Sequence, residues 1–154
     1  MRITCRHEFN CPPAELWPYL EEPGKIRLWM KGVEENVATS DGPTRPGSTF
    51  RMSIREGRRL VIYEGEITAY NPNRLLGLRL RGGCLRPDSI MHVEYRLTDL
   101  GERTQLDYVC EVDVRGAYRV FAFLFGWTAK LQIRSFFRRL GRLVEPPAAA
   151  TRYT

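Results

Sequence analysis

The stretch from about Ala117 to Val144 limits what this chain can fold into more than any other. At 100° per residue, Tyr118, Ala122, Phe125, Ala129, Ile133, Phe136, Phe137, Leu140, Leu143 and Val144 fall on one side. That is the recurrence of a helix laid on a core. No proline interrupts it, and Pro146-Pro147 ends it. Such a helix is roughly 40 Å long at ~1.5 Å per residue. The rest of the chain reads mostly as sheet that curls around this rod.

The strands are legible from alternation and turn chemistry. Ile3, Cys5, His7 and Phe9 alternate with Arg2, Thr4, Arg6 and Glu8, a half-buried strand ended by Cys11-Pro12-Pro13. Pro13 suits the first turn of a short helix, Ala14 to Leu20, and a second follows around Gly24 to Trp29. Val33 to Thr39 reads as an edge strand, and Ser40 to Ser48 as a loop dense in turn residues. A two-residue turn at Gly57-Arg58 then pairs Ile54 with Val61, Met52 with Tyr63 and Phe50 with Gly65, and sets Arg51 opposite Glu64 on the other face. The second strand of this hairpin continues to Tyr70, with Ile67 and Ala69 on its apolar face. Leu76, Leu78 and Leu80 mark the next strand, and Arg81 to Ser89 a loop. A turn at Gly101-Glu102 pairs Leu97 with Leu106, Tyr95 with Tyr108, Val93 with Cys110 and Met91 with Val112. Outside, Arg96 meets Asp107, and His92 meets Glu111, which puts His92 on the solvent face and makes it a poor catalytic candidate. One strand, two short helices, about six consecutive antiparallel strands and one long helix make an α+β domain with its helices segregated to one face. A sheet this long must twist and curl, and gaps beneath the helix would form a pocket.

Composition narrows the function classes. At 154 residues and 43% hydrophobic content the chain makes one domain, residues 1–145, with 146–154 a flexible tail. The net charge of +6 comes almost wholly from arginine, and acids are interleaved with it. No nucleic-acid partner is therefore expected; the run Arg134, Arg138, Arg139, Arg142 reads as a solvated helix face. Cys5, Cys11, Cys84 and Cys110 lack CxxC spacing, which argues against zinc, and neither a metal nor a cofactor is expected. MRITCRHEFN has no apolar segment of a secretory signal, and no run approaches the ~20 residues of a membrane span. The expectation is a cytoplasmic protein with free thiols.

The residues Phe9-x-x-Pro12-Pro13-Ala14-Glu15-x-Trp17, Pro23, Trp29-Met30, Arg45-x-Gly47-Ser48-x-Phe50, Tyr95-x-Leu97, Thr104 and Leu143-x-Glu145 resemble the SRPBCC superfamily. This helix-grip group holds START lipid-transfer domains, birch-pollen-allergen relatives and polyketide cyclase/dehydrase-like proteins. The resemblance spans residues 1 to about 145. It implies a seven-stranded sheet gripping the C-terminal helix, with a cavity for a hydrophobic ligand between them. Members include cyclases, hydrolases and ligand carriers, so fold alone assigns no reaction.

From the registers, the candidate ligand-binding residues are Trp29, Phe50, Met52, Tyr63, Leu78, Met91, Tyr95, Tyr108, Phe125, Ala129 and Ile133. They are greasy walls with a few hydroxyls, as ligand pockets are. Gly126, on the inward helix face, suggests space left for a ligand or close packing. His7 is the inward histidine by alternation. If the first strand lies beside the last, as the resemblance implies, His7 and Cys5 neighbour Tyr108 and Cys110, and a His7–Tyr108 pair is the candidate for proton transfer. A structural hydrogen bond is the plainer role for that pair.

The first half of the long helix is apolar on its outer side too, at Val120, Phe121, Leu124, Trp127 and Leu131. A homodimer interface or a pocket lid is preferred there to membrane contact; burial by loops is the alternative. The functions to weigh are a binder of a small hydrophobic molecule, a cyclase- or dehydratase-like enzyme in the same cavity, and a protein-interaction module using the outer helix face.

Overall fold

The computed structural model describes residues 1–83, 85, 87–112 and 118–145, without the side chains of Glu56 and residues 118–127. Its elements are β1 (Arg2–Phe9), α1 (Pro13–Glu21), a 3₁₀ helix (Pro23–Leu28), β2 (Val33–Ala38), β3 (Thr49–Glu56), β4 (Arg59–Asn71), β5 (Leu75–Gly82), β6 (Met91–Asp99), β7 (Thr104–Val112) and α2 (Tyr118–Val144). The strands form one seven-stranded sheet in the order β1-β7-β6-β5-β4-β3-β2. The meander from β2 to β7 is sequential, and β1 closes it by pairing antiparallel with β7.

Both hairpins take the expected registers. Met52 faces Tyr63 and Arg51 faces Glu64 across β3 and β4; Tyr95 faces Tyr108 and Arg96 faces Asp107 across β6 and β7. Gly57 and Gly101 hold φ of 62° and 92° in the two turns, a backbone that other residues adopt only with strain.

In β4 the expected alternation fails past Ile67. A register shift between Ile67 and Ala69 sets Ala69 opposite Gly77, and Tyr70 opposite Leu76. The extra residue rotates the strand, so Tyr70 rather than Ala69 turns inward. Its ring lies 5.8 Å from that of Trp17, and its hydroxyl donates to Glu21 Oε1 at 2.6 Å.

α2 is fixed to the sheet through Phe137 and Leu140, which are 1% and 0% exposed. The Phe137 ring meets Phe9 at 6.3 Å, Trp29 at 6.0 Å and Tyr108 at 5.8 Å between centroids. Burying a large side chain of this kind contributes about 1.5–3 kcal/mol, and aromatic packing adds about 0.5–1.5 kcal/mol per pair. The Trp29 indole N–H is satisfied by the Tyr19 carbonyl at 2.9 Å. Further along α2, Arg134, Arg138, Arg139 and Arg142 are exposed, and Arg139 Nε donates to the Leu28 carbonyl at 3.1 Å. Among the described residues, no helix is long and apolar enough to cross a membrane. The tail 146–154 and Cys84 lie outside them.

Candidate ligand-binding site

The concave face of β3 to β7 and the inner face of α2 do not close on each other completely. Between them lies a partly open cavity of about 170 Å³. The sheet supplies Met52, Ile54, Tyr63, Leu78, Leu80, Met91, Val93, Tyr95 and Tyr108. Ile26, Trp29 and Met30 come from the 3₁₀ helix and the turn after it, and Ile133, Phe136 and Phe137 from α2. Strand alternation explains the sheet set: these side chains all fall on the face that the helix covers.

Polar chemistry in this space comes from tyrosine. Tyr95 and Tyr108 are cross-strand partners whose rings lie 5.3 Å apart. Burial pushes the Tyr95 hydroxyl above its ordinary value, with Cys110 adding to the shift. Burial likewise raises Tyr108, with Tyr95 and Cys110 adding to it. Both hydroxyls are therefore neutral at physiological pH and suited to hydrogen bonding with a ligand, not to abstracting a proton as phenolates. Gly83 is what lets Tyr63 sit at the wall: a Cβ on Gly83 would fall 2.2 Å from Tyr63 Cζ.

The profile of a family described as polyketide cyclase / dehydrase and lipid transport matches residues 1–145. The chain belongs to that family. Solved structures with this fold include the Zhui aromatase/cyclase from Streptomyces sp. R1128, with a TM-score of 0.75, 13% identity, and coverage of 100% of this chain and 99% of that one. Protein CV1439 from Chromobacterium violaceum superposes with a TM-score of 0.75 at 17% identity, covering 94% of this chain and 97% of that one. The ginseng major latex-like protein 151 from Panax ginseng gives 0.72 at 10% identity, covering 95% and 98%. No curated protein sequence matches significantly. These neighbours share the helix-grip architecture expected from the sequence.

Within this polyketide cyclase/dehydrase and lipid transport fold, the sequence candidates separate. Trp29, Met52, Tyr63, Leu78, Met91, Tyr95, Tyr108 and Ile133 all line the cavity. Phe50 faces inward but not into it. Its ring covers Gly65, and it borders a smaller neighbouring recess instead. Ala129 is half-buried against the core without reaching the cavity wall. The side chains of Phe125, Gly126, Val120, Phe121, Leu124 and Trp127 lie outside the described residues; Leu131 is 44% exposed.

His7 and Tyr108 are not brought together as a proton-transfer pair. The β1 register sets His7 opposite Leu106, and Cys5 opposite Tyr108. The Phe137 ring packs against both, 6.1 Å from His7 and 5.8 Å from Tyr108, and His7 is not part of the cavity wall. Burial lowers the His7 pKa, Glu145 opposes that shift, and Arg138 adds to it. Cys5, Cys11 and Cys110 are buried free thiols, and burial pushes Cys11 up to about 11. His92 is exposed. Among the described residues, no group of three His, Cys, Asp or Glu side chains is placed to hold a metal ion. Phe136, Phe137, Met30 and Ile26 are wall residues absent from the sequence candidates; the helical period does mark Phe136 and Phe137 as inward.

Proposed function

We propose that this protein binds a small hydrophobic molecule, lipid- or polyketide-like, between the sheet and α2. What carries the reading is the 170 Å³ apolar cavity with tyrosine hydroxyls in its wall. Greasy walls with a few placed polar groups are the usual composition of a ligand site. An apolar cavity of about 150 Å³ is enough to take up benzene, so this one admits a single ring without any rearrangement. The family description, which includes lipid transport, supports the same reading.

A cyclase- or dehydratase-like reaction in the same cavity is the second reading, favoured by the other half of that description. Among the described wall residues there is no carboxylate, imidazole or amine. A reaction there would have to rely on the tyrosine hydroxyls, and phenols whose pKa burial raises are poorer proton donors than usual and, being neutral, poor bases too. Binding therefore ranks above turnover.

Native mass spectrometry after mild purification tests the proposal. A retained hydrophobic molecule, displaced by excess toluene, is expected. Absence of any adduct, together with no calorimetric response to toluene, would overturn it.

A further inference from the structure

Arginine plays two different parts on this surface. Along β1 and β7 it is matched with acids: Arg2 lies beside Glu111, Arg6 beside Asp107 and Arg103 beside Glu8. From Lys130 to Val144, α2 carries Lys130, Arg134, Arg138, Arg139 and Arg142 and no acid. None of these cations forms an ion pair among the described residues. Glu145, the acid that follows them, accepts from the Asn10 backbone N–H at 3.1 Å instead.

The fold accounts for only some of this charge. Arg139 ties α2 to the 3₁₀ helix through the Leu28 carbonyl. Arg142 stands in the last turn, where a cation favours the helix dipole. That effect fades within the last turn, so it leaves Arg134 and Arg138 unexplained. Arg134, Arg138 and Arg142 follow one another at intervals of four, and like charges at that spacing oppose the helix. The arginine ridge is therefore kept against the stability of α2.

Exposed leucines accompany the ridge. Leu131 and Leu143 of α2 are 44% and 43% exposed, and Leu28, beside Arg139, is 44% exposed. At 100° per residue, Leu131, Arg138, Arg139, Arg142 and Leu143 fall within about 140° of arc. That arc lies opposite Phe137 and Leu140, the residues that fix α2 to the core. A helix with a basic, leucine-bearing outer face suits the boundary between lipid headgroups and acyl chains. Arginine forks bind phosphate oxygens in pairs. The face also adjoins the cavity. Met30, Ile133 and Phe136 are partly exposed members of the cavity wall, and Lys31, Arg134 and Arg139 are next to them or one turn on.

We propose that the outer face of α2 from Leu131 to Leu143, with Leu28 beside it, docks on an anionic lipid surface. The arginines hold the phosphates, and the leucines enter the headgroup layer. A second copy of the chain is a poor occupant, because two such ridges would bring like charges together. The docking stands apart from the ligand reading above and adds to it only where a hydrophobic molecule would enter.

Co-sedimentation with vesicles tests this, using phosphatidylcholine alone and phosphatidylcholine mixed with phosphatidylserine. The wild type is expected to bind the anionic vesicles, to leave the neutral ones in solution, and to be released by salt. Combining Arg134→Gln, Arg138→Gln and Arg142→Gln should weaken binding about a hundredfold. That variant should melt no lower than the wild type, since it relieves repulsion along α2. Combining Arg2→Gln, Arg6→Gln and Arg103→Gln removes the same charge from the sheet and should leave binding within a few fold of the wild type. Leu28→Ser with Leu131→Ser should weaken binding at least tenfold. Equal binding to neutral and anionic vesicles, or equal losses from the two arginine variants, would overturn the proposal. Wild-type binding by the leucine variant would overturn lipid as the occupant and leave a soluble polyanion, an acidic protein or a nucleic acid, in its place.

Discussion

The Phe50 ring occupies the space that Gly65, its partner across β3 and β4, leaves empty. A Cβ on Gly65 would fall 2.1 Å from Phe50 Cζ and 2.4 Å from Cε2. Gly65→Ala therefore forces the ring out of its place. The expected cost is about 1–3 kcal/mol, as for other overpacked cores. Urea denaturation would measure it. Combining Gly65→Ala with Phe50→Ala should cost less than the sum of the two single changes, because the clash is gone.

Thr104 is fully buried, and its hydroxyl donates to the Cys11 carbonyl at 2.7 Å. This bond ties the start of β7 to the segment leaving β1. Thr104→Val keeps the shape and leaves that carbonyl unpaired, at about 1–3 kcal/mol. Thr104→Ser keeps the donor and loses one methyl, at about 0.8 kcal/mol. Chemical denaturation of both variants should rank Val below Ser; the opposite order would mean that packing, not the hydrogen bond, governs the position.

His7 gives the acid limb of stability a definite sign. Burial, the largest cause, lowers its pKa in the folded state below the ordinary 6.5. The unfolded chain then binds the proton more readily than the folded one, so stability present above pH 6.5 is lost as the pH falls through the folded value. Melting curves of wild type and His7→Gln between pH 7.5 and pH 5 should converge at the low end, the variant showing the shallower decline. Parallel curves would show that His7 does not contribute to it.

Ile133 lines the cavity from α2 and is half-buried. Ile133→Trp places an indole in the ligand's space. Toluene affinity should fall at least tenfold, while far-ultraviolet circular dichroism stays that of the wild type. Undiminished toluene binding by this variant would mean that the occupied space lies elsewhere.

The sheet could be read from the chain because its rules are local. Turn glycines and alternation fix both hairpin registers, and each cross-strand pair follows from its turn. What could not be read was depth. His7 is inward by alternation, yet the Phe137 ring reaches it first, and period alone does not say how far a helix sinks between strands. Phe50 is inward for the same reason, but the ring folds over a glycine that no alternation singles out as a cradle. The displaced face after Ile67 is a further case, since an extra residue in β4 carries no composition signal that separates it from an ordinary strand position. Asn36 shows what was missed: a polar residue on an inward site is a departure from pattern, visible in sequence only once β2 is registered against β3.

The order of the sheet also bears on how the chain comes together. β1 pairs with β7, so Ile3 finds its place opposite Cys110 only after nearly the whole meander exists. During synthesis from the N-terminus, the strand made first is the one partnered last, and its backbone donors stay open to other edges throughout. A ribosome-stalled intermediate lacking β7 should therefore be prone to self-association, and charged Arg2, Arg6 and Glu8 along that early strand would serve as its guard against sticking to a neighbour.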